Sequence, residues 1–153
     1  IDFPQNITQV HFIKLRLFDT KGKEVANTFY WRSNDKYEGR KTLTGPTSSG
    51  FEDLSKLKQV QLKTRYQTYQ EGDRHFIKAE IKNPSSTVAF FTQLQLLGQD
   101  KKPVRPSFYT DNFFSLLPGE SKTVIIETAA SDMPSEPTFV VKGWNIKPSS
   151  FKL

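Results

Sequence analysis

The chain contains no cysteine, one methionine and only two histidines among its 153 residues. The absence of cysteine excludes disulfides, thiolate metal sites and cysteine nucleophiles together. His11 and His75 lie far apart, and neither has a spaced set of carboxylates beside it, so we expect no metal site and no cofactor. No run of apolar residues approaches the roughly 20 that cross a bilayer, and we expect no membrane contact.

The net charge is +6, which raises the question of a nucleic-acid partner. Most basic residues alternate with apolar ones along predicted strands, a pattern typical of the solvated face of a sheet, as for Lys14, Arg16, Lys63 and Arg65. The compact basic cluster of Lys101, Lys102 and Arg105 falls in a turn and is too small to follow a phosphate backbone. We therefore expect no nucleic-acid binding.

Hydrophobicity along the chain alternates with a period of two residues and not of 3.6, which predicts strands. Ile13, Leu15 and Leu17 alternate with cations, and the polar turn 19–23 then leads into a second strand, so residues 8–33 are predicted to form a β-hairpin. A lone hairpin is marginal in water. We interpret this one as the closing strands of a second, truncated sandwich.

Beyond residue 59, short strands alternate with turn signals, which predicts an all-β, immunoglobulin-like β-sandwich of about seven strands. Strands are expected at 60–64, 77–81, 87–97, near 104, at 122–128 and, last, at 138–146. The polar, glycine-containing segment between hairpin and sandwich is too long for an ordinary loop, although residues 51–57 within it predict one helical turn. The predicted domains are thus 1–33, a connector at 34–58, and the sandwich at 59–153.

Residues 108–120 place four aromatic residues and two leucines around one Asp-Asn pair, ahead of a Pro-Gly turn. This composition predicts a corner between two strands. Asp111 and Asn112 are expected to bond the backbone groups that a bend leaves unpaired. Tyr109 and Phe114 are expected to pack at the same corner or to contact a neighbouring domain.

The same segment closely resembles the pattern Tyr-x-Asp-Asn-(Tyr/Phe)-Phe-x-Leu-Leu-Pro-Gly-Glu of the C-terminal region of family 2 glycoside hydrolases, in the β-mannosidase and exo-β-D-glucosaminidase branch. Residues 27–33 resemble the Asn-x-(Phe/Tyr)-Trp-x-Ser strand of that branch, and 46–54 resemble its connector. Residues 83–94 resemble its Ala-Phe-Phe strand, and Gly143-Trp144-Asn145 resembles its Gly-(Trp/Tyr)-Asn ending. The resemblance spans about residues 10–146.

The resemblance implies that catalysis takes place in a TIM barrel that carries two glutamates and is absent from this sequence. The chain, which begins at Ile1 and not at Met, is then expected to be a piece of an exported bacterial exo-glycosidase. Its partner would be the catalytic barrel, which it would brace without supplying a catalytic residue. Retaining glycosidases need two carboxyls about 5–5.5 Å apart. The pairs Glu52–Asp53 and Asp111–Glu120 fall in turns, where carboxylates more often cap backbone amides.

Other functions remain open at this point. The aromatic residues, Trp144 first among them, could stack on a neutral glycan in an autonomous carbohydrate-binding module. An adhesion-type sandwich would expose a broad apolar patch away from the hairpin. A charge of +6 repels cationic polyglucosamine and so favours a mannoside. The apolar hairpin without its sheet predicts a strand-exchanged homo-oligomer.

Overall fold

The structure, a computed structural model, describes residues 6–34 and 50–153. The chain divides into two compact units, Ile1–Leu57 and Lys58–Leu153. The division predicted from the sequence stays a prediction, because residues 35–49 of the connector lie outside the described residues. Within the described ranges, no helix is long and apolar enough to cross a membrane.

The first unit contains the predicted hairpin, formed by β1 (Val10–Phe18) and β2 (Glu24–Ser33). Its turn is closed by the Asp19 carboxylate, which accepts hydrogen bonds from the backbone amides of Lys21 and Lys23, both at 2.9 Å. The predicted helical turn is a 3₁₀ turn at Glu52–Lys56.

The register of the hairpin places apolar side chains on both of its faces. Ile13 lies opposite Tyr30, whereas Phe12 lies opposite Trp31. Because neighbouring residues on a strand point to opposite faces, the aliphatic row and Trp31 are on different sides. Both sides remain largely exposed; Leu17 is 62% and Trp31 43% exposed.

The second unit, residues 58–153, is described throughout and consists of two antiparallel four-stranded sheets. The first has the spatial order β3 (Lys63–Glu71), β4 (Arg74–Lys82), β8 (Ser121–Ala129) and β6 (Phe108–Tyr109). The second has the order β10 (Ser149–Lys152), β9 (Thr138–Lys142), β5 (Ala89–Leu97) and β7 (Phe114–Leu116). The all-β, immunoglobulin-like prediction is confirmed.

The core consists of the alternate, inward-facing residues of both sheets, as period-two patterning requires. The fully buried members include Ile77, Ala79, Ile81, Leu94, Leu96, Val124, Ile126, Phe139 and Val141. Each large apolar side chain buried in this way contributes about 1.5–3 kcal/mol. These strands form the scaffold on which the connecting segments are held.

Three strand predictions are wrong, two in their bounds and one in the existence of the strand. The strand expected at 60–64 begins only at Lys63, because Val60 instead forms a parallel bridge with Ile146. No strand forms around residue 104, where the Val104 amide donates a single hydrogen bond to Leu96 O at 3.0 Å.

The last predicted strand, 138–146, ends at Lys142, and β10 follows it unpredicted. The strand ends where the chain turns at Gly143. A Cβ at that position would lie 2.8 Å from Phe91 O, too close for any side chain. Only glycine lets the backbone approach β5 at this point.

Candidate functional site

The segment between β6 and β7 forms a corner that is fastened to the second sheet by Asn112. The Leu94 amide donates to Asn112 Oδ1 at 2.8 Å, and Asn112 Nδ2 donates to Leu94 O at 3.0 Å. One side chain thus satisfies both backbone groups of Leu94, where the short strand β7 no longer pairs with β5. Asp111 accepts from the Asn112 amide at 2.7 Å and forms an ion pair with Lys122.

Tyr109 and Phe114 lie on either side of this corner. The Tyr109 hydroxyl accepts a hydrogen bond from the Leu96 amide at 3.0 Å. Burial raises the pKa of Tyr109 above its ordinary value of 10.0, while the Leu96 bond acts in the opposite direction. Phe114 is buried, and Lys122 Nζ lies 5.2 Å from the centre of its ring, within reach of a cation–π contact.

Asn145, which is only 6% exposed, forms a second set of hydrogen bonds between a side chain and the backbone. Its Oδ1 accepts from the Phe90 amide at 2.9 Å, and its Nδ2 donates to Lys58 O at 2.9 Å and Val88 O at 2.8 Å. The neighbouring Trp144 amide donates to Phe90 O at 3.0 Å. The loop that carries Trp144 is therefore held firmly against β5.

The hydrogen bonds of Asn112 and Asn145 hold the segments that carry three exposed aromatic side chains. We call these side chains the rim cluster: Phe91, Phe113 and Trp144. They are 39%, 49% and 59% exposed. The Phe91 and Phe113 rings are 5.5 Å apart, centre to centre, and Phe90 beneath lies 5.7 Å from Phe91 and 6.4 Å from Trp144. The rim cluster is an apolar patch on the surface of the second unit.

The backbone of two rim-cluster residues is strained. Phe91 has φ 58° and Phe113 has φ 57°, in the left-handed region that bulky side chains rarely adopt. Phe91 sits where the β5–β7 register shifts between Ala89 and Thr92, so it is a bulge residue whose ring turns outward. Its amide donates a hydrogen bond to Ser115 Oγ at 3.2 Å and not to the β7 backbone. Such strain persists only where the surroundings enforce it. Here the Asn112 and Asn145 hydrogen bonds do so.

The structure brings the predicted Asp111, Asn112 and Phe114 together at the corner and places Trp144 on the rim. Their corner, interdomain or sugar-contact roles stay predictions. Sequence reasoning did not assign a role to Phe91 or Asn145. A buried asparagine inside an apolar motif signals backbone hydrogen bonding, so Asn145 could have been found; the bulge at Phe91 leaves no signal in the residue types.

The carboxylates that could be imagined as catalytic are engaged in local contacts. Asp53 pairs with Lys56 at 2.6 Å, Asp111 pairs with Lys122, and Glu120 Oε2 accepts from the Leu117 amide at 2.8 Å. Among the residues that the structure describes, no group of three His, Cys, Asp or Glu side chains could hold a metal ion. The described residues of the corner and the rim cluster therefore present a surface.

Comparison with known proteins identifies the relatives of this arrangement. The chain is 30% identical over 149 residues to an exo-β-D-glucosaminidase of Streptomyces avermitilis, covering 91% of this chain and 16% of that protein. It is 28% identical over 150 residues to the exo-β-D-glucosaminidase of Amycolatopsis orientalis, covering 91% of this chain and 14% of that one. The crystal structure of the Amycolatopsis orientalis exo-chitosanase CsxA has the same fold, with a TM-score of 0.84 and 22% identity over 100% of this chain and 19% of that chain.

These relatives support the exo-β-D-glucosaminidase side of the resemblance, and the β-mannosidase side has no support among them. The charge of +6, which favoured a mannoside, therefore has no support from these relatives. The chain spans 14–16% of the length of the curated relatives. The family profile of the exo-β-D-glucosaminidase Ig-fold domain matches residues 42–146, and the chain belongs to this family.

Proposed function

We propose that this chain is a non-catalytic accessory sandwich of an exo-β-D-glucosaminidase, and that it braces the catalytic barrel of that enzyme. Family membership and the small share of each relative that it spans support the accessory role. The observation that carries the bracing role is the rim cluster. It is an exposed aromatic patch held in place by the buried Asn145 and the half-buried Asn112.

The rim cluster has the properties of a contact surface between domains. Aromatic side chains are enriched in interfaces, where they bury a large area with few rotatable bonds. Each left-handed aromatic residue costs about 1–3 kcal/mol. In isolation, the ring contact between Phe91 and Phe113 contributes only about 0.5–1.5 kcal/mol, less than the combined strain of the two residues. Burial against a barrel would offset the strain.

The test compares the chain alone with the longer protein that includes the region encoded ahead of Ile1. p-Nitrophenyl β-D-glucosaminide, found in a complex of the Amycolatopsis enzyme, is the substrate. We expect no nitrophenol release by the chain and release by the longer protein. Turnover by the chain alone would contradict the non-catalytic assignment. A longer protein without a barrel would contradict the brace.

A second candidate function is glycan binding at the rim cluster, favoured by Trp144, which is 59% exposed. A neutral oligosaccharide could stack on this ring. Calorimetric titration of the chain with neutral gluco- and manno-oligosaccharides tests it. A dissociation constant in the millimolar range or below, lost in Trp144→Ser, would favour this function. Absence of heat at millimolar sugar would eliminate it.

A further inference from the structure

The outer face of the first sheet carries a cluster of four exposed cations, which we call the basic face: Lys63, Arg65, Lys78 and Lys82. In the sequence, these residues look scattered at alternate positions of two strands. The antiparallel register gathers them, because Lys63 lies directly opposite Lys82, Arg65 opposite Glu80, and Gln67 opposite Lys78.

The charge of the basic face is only partly compensated within the unit, because Glu80 is the one carboxylate among its paired positions. Like charges directly opposite one another destabilise an antiparallel pair, and Lys63 and Lys82 are such a pair. Among the described residues, no carboxylate lies within 4.0 Å of these four cations, whereas Arg74 and Glu127 nearby on the same sheet pair at 3.0 Å. The basic face is therefore a place where an incoming acidic group lowers the energy of the fold.

The shape of the basic face distinguishes between acidic ligands. Two adjoining depressions of about 390 and 420 Å³ lie along it, and Arg65 and Glu80 line both. A linear polyanion following them would pass the Glu80 carboxylate and be repelled there. A folded acidic surface can place its carboxylates against the cations and a hydrogen-bond donor against Glu80.

We propose that the basic face docks on an acidic surface of the catalytic region of the same enzyme. The inference rests on the proposed function, because a catalytic region that attracts an amine-bearing sugar polymer needs a negative surface potential. A solvated basic face beside it would repel the same substrate. Docking would both remove this repulsion of the substrate and neutralise the cations of the basic face.

Lysine footprinting tests the docking directly. The chain alone and the longer protein are acetylated under identical conditions, and each lysine is quantified by mass spectrometry. Lys63, Lys78 and Lys82 should react severalfold more slowly in the longer protein, because the docked acidic surface covers their amines and holds them in ion pairs. Lys101 and Lys102, in a turn outside the basic face, are the control and should react equally in both forms. Equal reactivity of all five lysines would overturn the proposal.

The double variant Lys63→Gln/Lys82→Gln provides a second readout. In the chain alone it removes a like-charge pair, so the unfolding midpoint should stay or rise. In the longer protein the variant removes docking contacts, so its unfolding midpoint should lie below that of wild type at low salt. The difference should shrink at high salt, where the charge contacts of wild type are screened. The control Lys21→Gln/Lys23→Gln removes the same charge from the hairpin turn. A fall of the same size in chain and longer protein would mean a role within the sheet alone. A longer protein that has no glucosaminidase activity but still shows the slower reaction of these lysines would refute the proposed function and leave the docking standing.

Discussion

At the scale of single residues, two asparagines hold the rim cluster, the buried Asn145 and the half-buried Asn112. Asn145 is 6% exposed and satisfies one backbone amide and two backbone carbonyls. Asn145→Asp keeps the shape but turns the donor toward Lys58 O and Val88 O into an acceptor. We expect a loss of about 3 kcal/mol or more in the free energy of unfolding, measured in urea, because two carbonyls then face a buried carboxylate. The exposed Asn6→Asp is the control. Equal midpoints for both variants would contradict this reading.

Tyr109 makes the free energy of unfolding depend on pH. Burial raises its pKa above 10.0, so the folded state holds the phenolic proton more tightly than the unfolded state. Its contribution is present below about pH 10 and is lost as the pH rises through the folded value. Between about pH 9 and 11, wild type should lose stability more steeply than Tyr109→Phe, whereas Tyr30→Phe, on the hairpin, should follow wild type. Parallel pH profiles for all three proteins would show that Tyr109 is not titrating this way.

At the scale of elements, the β1–β2 hairpin has too little sheet for its apolar surface. Leu15 is 47% and Leu17 62% exposed on one face, and Trp31 is 43% exposed on the other. We propose that the isolated chain associates through strand exchange or edge pairing of this hairpin. Size exclusion with light scattering should show concentration-dependent dimers. Leu15→Thr/Leu17→Thr, which keeps β propensity, should shift them towards monomer. A wild-type chain that stays monomeric throughout would contradict this.

The sequence predicts the individual strands better than it predicts how the strands pair. Alternation at Ile13, Leu15 and Leu17 is enough to predict a hairpin because strand side chains repeat every two residues. The apposition of Lys63 and Lys82 depends on register, which a single strand pattern does not contain. The residue types of Asp111 and Asn112 are enough to predict a corner, although their role there stays a prediction. The left-handed Phe91 could not, because a bulge is enforced by tertiary hydrogen bonds and not by the propensity of phenylalanine.

At the scale of the whole molecule, two surfaces of the second unit would face the catalytic region: the aromatic rim cluster and the basic face. Neither gives an advantage to the isolated chain, since one stores backbone strain and the other like-charge repulsion. A surface that is costly alone and favourable in the complete enzyme is what a bracing domain requires. The same substitution in one of these surfaces should therefore stabilise the isolated chain and destabilise the longer protein.

Phe113→Asn tests this central claim most directly. Asparagine tolerates the left-handed backbone, so we expect the chain alone to unfold at an equal or higher temperature. In the longer protein, loss of the ring should lower the midpoint of thermal inactivation of glucosaminidase activity by about 2–4 °C. Phe108→Asn, at an aromatic residue that is 57% exposed in β6 and outside the rim cluster, is the matched control. Unchanged inactivation in Phe113→Asn, or a loss equal to that of Phe108→Asn, would contradict the bracing role.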